Sequence, residues 1–147
     1  MTDTPSKAVN ILLIEDNEGD IFLTRKAFEK ASFSYEIHIA RDGEEALDFV
    51  FQRGNFAVKP RPDIIFLDMN MPKKDGKDVL KEIKEDESLR RIPVIILTSS
   101  KAEQDVLRAY DLHANSYMVK PLDLGKFQET VQAVENFWFK TVVLPDE

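Results

Sequence analysis

The chain contains no cysteine, which excludes disulfide frameworks and thiolate metal sites and suits a reducing cytoplasm. It has no apolar run near the roughly 20 residues that cross a bilayer. Met1 to Lys7 show no apolar stretch after a basic start, so no secretory signal is expected. Positive charge is in deficit: 20 Lys and Arg against 27 Asp and Glu give a net charge of −7. No face is obviously basic, which argues against a nucleic-acid partner. Histidine is scarce, and His38 and His113 stand alone, read as structural or exposed rather than as ligands. Repeats and low-complexity tracts are absent too. The expectation is a soluble, cytoplasmic domain of 147 residues with one ordinary core and no membrane partner. It comprises a folded body over 8–139, an N-terminal arm over 1–7 and a C-terminal tail over 140–147, with no attached output domain.

Strand-like and helix-like segments alternate five times. Apolar, β-branched runs predict strands at 9–14, 35–40, 63–68, 93–98 and 116–120. Helical periodicity falls near 18–31, 43–53, 76–86, 101–112 and 124–139. Asp42-Gly43-Glu44-Glu45 and Ser100-Lys101-Ala102-Glu103 each fit a capping box, and Asp123 is placed to cap the last helix. Continuous apolar strands separated by helices predict an α/β fold: a doubly wound, five-stranded parallel sheet of order 2-1-3-4-5 with helices on both faces. The segment 54–62, with Pro60 and Pro62, reads as a stiff surface spacer.

Chemistry collects at strand ends. Asp68 closes the run Ile64-Ile65-Phe66-Leu67, and Glu15-Asp16 follows the first strand. Thr98 and Lys120 close the last two strands. In the predicted order, strands 1 and 3 are neighbours, so Asp16 and Asp68 converge where open α/β sheets place their ligands. Three carboxylates within about 5 Å repel by roughly 3 kcal/mol per pair at an effective dielectric near 20, so a cation is needed among them. All-oxygen donors favour magnesium. Asp68 is then the nucleophile for a phosphoryl group, Lys120 a point charge on its oxygens and Thr98 a hydroxyl donor to them. Each element alone has a bland reading as a helix cap, a turn or ordinary β-propensity. The joint placement at four carboxyl ends does not.

Glu15-Asp16-Asn17, Leu67-Asp68-Met69-Asn70-Met71-Pro72 with Asp75-Gly76, Thr98-Ser99 and Tyr117-Met118-Val119-Lys120-Pro121 resemble the receiver domain of bacterial two-component response regulators over about residues 8–139. The resemblance implies that Asp68 accepts a phosphoryl group from the phosphohistidine of a sensor histidine kinase. It implies magnesium bound directly by Asp16 and Asp68, by Glu15 through water and by the backbone carbonyl of Asn70. It makes Thr98 and Tyr117 the switch pair, gives Lys120 the phosphoryl contact and implies a cis peptide before Pro121. Ser99 departs from the family, which usually has alanine or glycine there. The Pro60-Arg61-Pro62 loop and the long C-terminal extension resemble the small stand-alone regulators that serve bacterial phytochromes, so a phytochrome kinase is the implied partner.

Leu124, Phe127, Val131, Val134 and Trp138 form one apolar stripe predicted to face the sheet. Phe137 and Phe139 diverge from it, and one stripe cannot bury all three rings. Either the tail folds over them, or they form a two-fold homodimer surface with the fourth helix and fifth strand. The competing functional class is a small magnesium-dependent phosphatase of the haloacid-dehalogenase type. Those enzymes carry an acid two residues after the nucleophile, where this chain has Asn70, and their nucleophile follows the first strand. A flavodoxin-like cofactor site fits less well, because Glu15-Asp16-Asn17-Glu18 would repel a phosphate.

Overall fold

A computed structural model describes residues 8–70, 75–99 and 116–138. Five parallel strands, β1 (Val9–Ile14), β2 (Tyr35–Ala40), β3 (Ile64–Asp68), β4 (Val94–Thr98) and β5 (Ser116–Val119), form one sheet of order β2-β1-β3-β4-β5. The expected topology is therefore observed. The α-helices among the described residues are α1 (Glu18–Phe28), α2 (Gly43–Val50), α3 (Gly76–Glu85) and α4 (Leu124–Trp138). The helix expected over 101–112 and the Ser100 capping box lie outside the described residues. Residues 54–56 wind into a single 3₁₀ turn within the expected spacer. Among the described residues no helix is long and apolar enough to cross a membrane.

Alternation along the strands sorts the core into two layers. Leu12, Ile14, Ile65, Leu67, Val94 and Ile96 pack on the face that α2 and α3 cover. Ile11, Leu13, Ile64, Phe66, Ile95 and Leu97 pack on the other, under α1 and α4. Phe66 touches Phe28 of α1 edge-on at 5.9 Å and Phe127 of α4 at 5.4 Å, so three aromatic rings tie both helices to the sheet. Phe127, Val131 and Val134 are buried as the apolar stripe predicts, but Leu124 is 40% exposed. It stands at the first position of α4.

Every described α-helix starts on an oxygen cap. Asn17 accepts from Asp20 N–H at 2.9 Å, Asp42 from Glu45 N–H at 2.8 Å, Asp75 from Asp78 N–H at 3.1 Å and Asp123 from Lys126 N–H at 2.9 Å. The Glu45 carboxylate reaches back past the cap to Arg41 N–H at 2.8 Å. His38 is structural, as expected: its Nε2 lies 3.2 Å from Asn10 Oδ1 and its ring packs at 5.3 Å on Phe49. Burial lowers its pKa.

Candidate functional site

Because Asn17 caps α1, Glu15 and Asp16 are released from the commonest task of acids after a strand. Glu15 N–H is tied to Ala40 O at 2.9 Å, which fixes the carboxyl end of β1 beside β2. Its side chain is fully buried. Asp68 ends β3, 2% exposed, and its Oδ1 accepts from Asn70 N–H at 3.0 Å. Glu15, Asp16 and Asp68 each offer a carboxylate oxygen, and the three oxygens lie within 4.8 Å of one another. The convergence expected from strand order is observed.

The fifth strand contributes the counter-charge. Lys120 N–H donates to Thr98 O at 2.8 Å, and the following Lys120–Pro121 peptide is cis. Its Nζ then sits 3.1 Å from Glu15 Oε2 and 3.2 Å from Asp68 Oδ2. It also sits 2.9 Å from Oδ2 of Asp20, a residue of the first turn of α1 that no sequence motif singles out. Burial disfavours the Lys120 charge. The hydrogen bonds to Asp20 and Glu15, with the charges of Glu15 and Asp68, outweigh that and hold the ammonium above the ordinary lysine range. Burial first, then Asp68 through its hydrogen bond and its charge, push Glu15 up to about 8 despite Lys120.

That shift and one orphaned atom make the case for a metal. Glu15 Oε1 is buried with no hydrogen-bond partner; Lys120 Nζ is 3.0 Å away but outside hydrogen-bond geometry. A buried carboxylate oxygen left in that state is costly, and a hard cation would satisfy it. The donors of this cluster are all carboxylates, a set that suits a hard divalent ion.

Thr98 is fully buried at the end of β4, where it pairs with Val119 in register. Tyr117, opposite Ile96, is half-buried and packs against the α2–α3 side of the core. Asn70 Nδ2 donates to Ser99 Oγ at 3.3 Å, joining the loops after β3 and β4. The side chain of Phe137, and the whole of Phe139 and His113, lie outside the described residues.

Gly76 was legible only as part of a motif. A Cβ there would sit 2.7 Å from Asp68 O and 2.7 Å from Met69 Cα. The start of α3 thus rests directly on the backbone that carries Asp68.

The family model for the response regulator receiver domain matches residues 11–132. Response regulator Rcp1 of Synechocystis sp. is 43% identical over 145 residues, 99% of each chain. Among solved structures, the phosphorylated cyanobacterial phytochrome response regulator RcpA superposes with a TM-score of 0.80 at 43% identity, over 95% of this chain and all of that one. The Mn(2+)-bound form of Rcp1 gives 0.78 at 44% identity, over 92% and 98%.

Proposed function

The chain belongs to the response regulator receiver family, and from that premise we propose that Asp68 is the aspartate on which it carries its phosphoryl group. A receiver is a signalling protein that is phosphorylated on an aspartate, binds a divalent metal and takes its phosphoryl group from a histidine kinase. The reading for this chain is finer: magnesium held by Glu15, Asp16 and Asp68, with the carbonyl of Asn70, in a cytoplasmic regulator fed by a phytochrome-type kinase. The observation that carries it is one nearly buried carboxylate, Asp68, within 3.2 Å of Lys120 and inside a three-carboxylate cluster. Its similarity to a phytochrome response regulator supports the choice of kinase, and a manganese-bound relative supports a divalent site.

An ionised Asp68 oxygen attacks phosphorus in line. The phosphorus–nitrogen bond of the phosphohistidine breaks, and the imidazole leaves with the electron pair. Lys120 pairs with a phosphoryl oxygen, and Thr98 donates its hydroxyl to another. The metal, when bound, neutralises charge on the phosphoryl oxygens. Self-dephosphorylation is a second displacement on the same residues: water attacks the phosphorus in line, the phosphorus–oxygen bond to Asp68 breaks, the carboxylate leaves with the electron pair, and inorganic phosphate departs while the water's proton passes to solvent. Incubation with a small phosphoryl donor should add one alkali-labile phosphoryl group with magnesium, and about a hundredfold less without it, the scale of lost electrostatic stabilisation. Equal labelling in chelator would remove the metal from the scheme.

The switch follows from the new charge on Asp68. Thr98 moves toward it, and Tyr117 turns into the space released, a population shift driven by differential hydrogen bonding. Its output includes a two-fold dimer through the C-terminal aromatics Phe137 and Phe139. Thr98→Ala should still accept the phosphoryl group on Asp68, more slowly for want of one hydroxyl donor, yet lose the phosphorylation-dependent rise in sedimentation coefficient expected of wild type. If wild type stays monomeric at tens of micromolar in both states, the dimer is wrong; if the variant still responds, the relay is.

A further inference from the structure

Lys120 divides its ammonium among three carboxylates, and the shortest contact is with Asp20, at 2.9 Å, ahead of Glu15 Oε1 at 3.0 Å and Asp68 Oδ2 at 3.2 Å. The location matters more than the tenths of an ångström. Glu15 and Asp68 belong to the three-carboxylate cluster; Asp20 does not. It lies on the first turn of α1, and its backbone is held on both sides. Its N–H donates to Asn17 Oδ1 at 2.9 Å, and its carbonyl accepts the hydroxyl of the buried Thr24 at 2.8 Å. Asp20 is thus a fixed anchor outside the ligand set.

We propose that Asp20 is a positioning residue that keeps Lys120 at the rim of the site while Glu15 and Asp68 turn to a divalent cation. The inference rests on the metal and phosphoacceptor roles proposed above. An ammonium on Glu15 and Asp68 competes with a metal for the same oxygens. With only those two partners, Lys120 would lose both on metal entry, and its side chain is just 18% exposed. A largely buried, unpaired charge is a strong penalty against binding. Asp20 removes that penalty, because Lys120 gives up two contacts and keeps a third. The ammonium also stays on the Asp68 side of α1, within reach of an incoming phosphoryl oxygen.

The competing explanation is that Asp20 is merely one more negative charge near a cation site. A double-mutant cycle separates the two. Magnesium affinity is measured by calorimetric titration of the intact chain for wild type, Asp20→Asn, Lys120→Gln and the double variant, with Asp20→Glu as the conservative control. Asp20→Asn should weaken binding by about tenfold, the usual scale of coupling between touching charged groups. Lys120→Gln should tighten binding by removing the competitor. Adding Asp20→Asn to Lys120→Gln should then change affinity by less than about twofold, since no ammonium is left to anchor. Asp20→Glu should restore most of the wild-type affinity. Equal weakening by Asp20→Asn in both backgrounds overturns the inference alone. A wild-type chain that takes up no magnesium overturns the metal assignment and this inference with it.

Discussion

Asp68→Asn is expected to abolish phosphoryl uptake and leave the chain folded. The substitution is isosteric at a site that is 2% exposed, so no cavity opens at the end of β3. The contact from Asn70 N–H to Oδ1, at 3.0 Å, survives because an amide oxygen accepts the same bond. What disappears is the ionised oxygen, without which there is no nucleophile to form an acyl phosphate. Lys120 retains Glu15 and Asp20 as partners. Removing one carboxylate also relieves the repulsion that helps push Glu15 up, so the variant without metal should melt no lower than wild type. Intact-mass measurement after treatment with a small phosphoryl donor and magnesium checks the first expectation, and thermal unfolding the second. An Asp68→Asn chain that still gains one phosphoryl group at the wild-type rate would move the phosphoacceptor elsewhere.

Gly76→Ala should damage the same chemistry without touching a charged group. The added methyl would lie 2.7 Å from Asp68 O and 2.7 Å from Met69 Cα, and 3.0 Å from Met69 Sδ. The first two are backbone atoms and cannot rotate away. Gly76 N–H also donates to Met69 O at 3.2 Å, so helix and strand end are tied where they collide. Relief requires the end of β3 to shift and carry Asp68 with it. Overpacking of this kind costs about 1–3 kcal/mol of stability. Displacing a reacting group by about an ångström costs on the order of a hundredfold in rate. Gly54→Ala is the matched control. Gly54 has φ +56° and no atom within 4 Å of an added Cβ. That variant should lose about 1 kcal/mol through left-handed backbone strain alone and phosphorylate normally. Equal phosphorylation rates in the two alanine variants would show that the Gly76 contact does not position Asp68.

Apolar runs ending in Ile14, Asp68, Thr98 and Lys120 were enough to predict four strands, since a strand covered on both faces leaves a continuous signature, and the partial alternation of Tyr35 to Ala40 predicted the fifth, a half-buried edge strand. Boundaries came out within a residue for every strand; Asp63, Pro93 and Lys120 fall just outside because pairing in the ladder, not hydrophobicity, defines strand ends. The convergence of Glu15, Asp16 and Asp68 followed from topology, because strand order fixes which carboxyl ends are neighbours.

The rest needed three dimensions. Asn17 rather than an acid caps α1, a choice made by backbone geometry that several oxygen-bearing neighbours could have served. Leu124 has the spacing of a core residue but is 40% exposed, because a helix pattern gives the face a residue lies on and not what packs over it. Asp20 reads as an ordinary first-turn acid until α1 is docked on the sheet and the chain leaving β5 brings Lys120 to it, 100 positions later in the sequence. The strand ends are set locally, by hydrophobic period and by the residues that stop each strand, and the sequence determined them. Contacts between a helix turn and a distant strand end depend on packing distance and rotation, which no local pattern encodes, and the tertiary structure alone decided those.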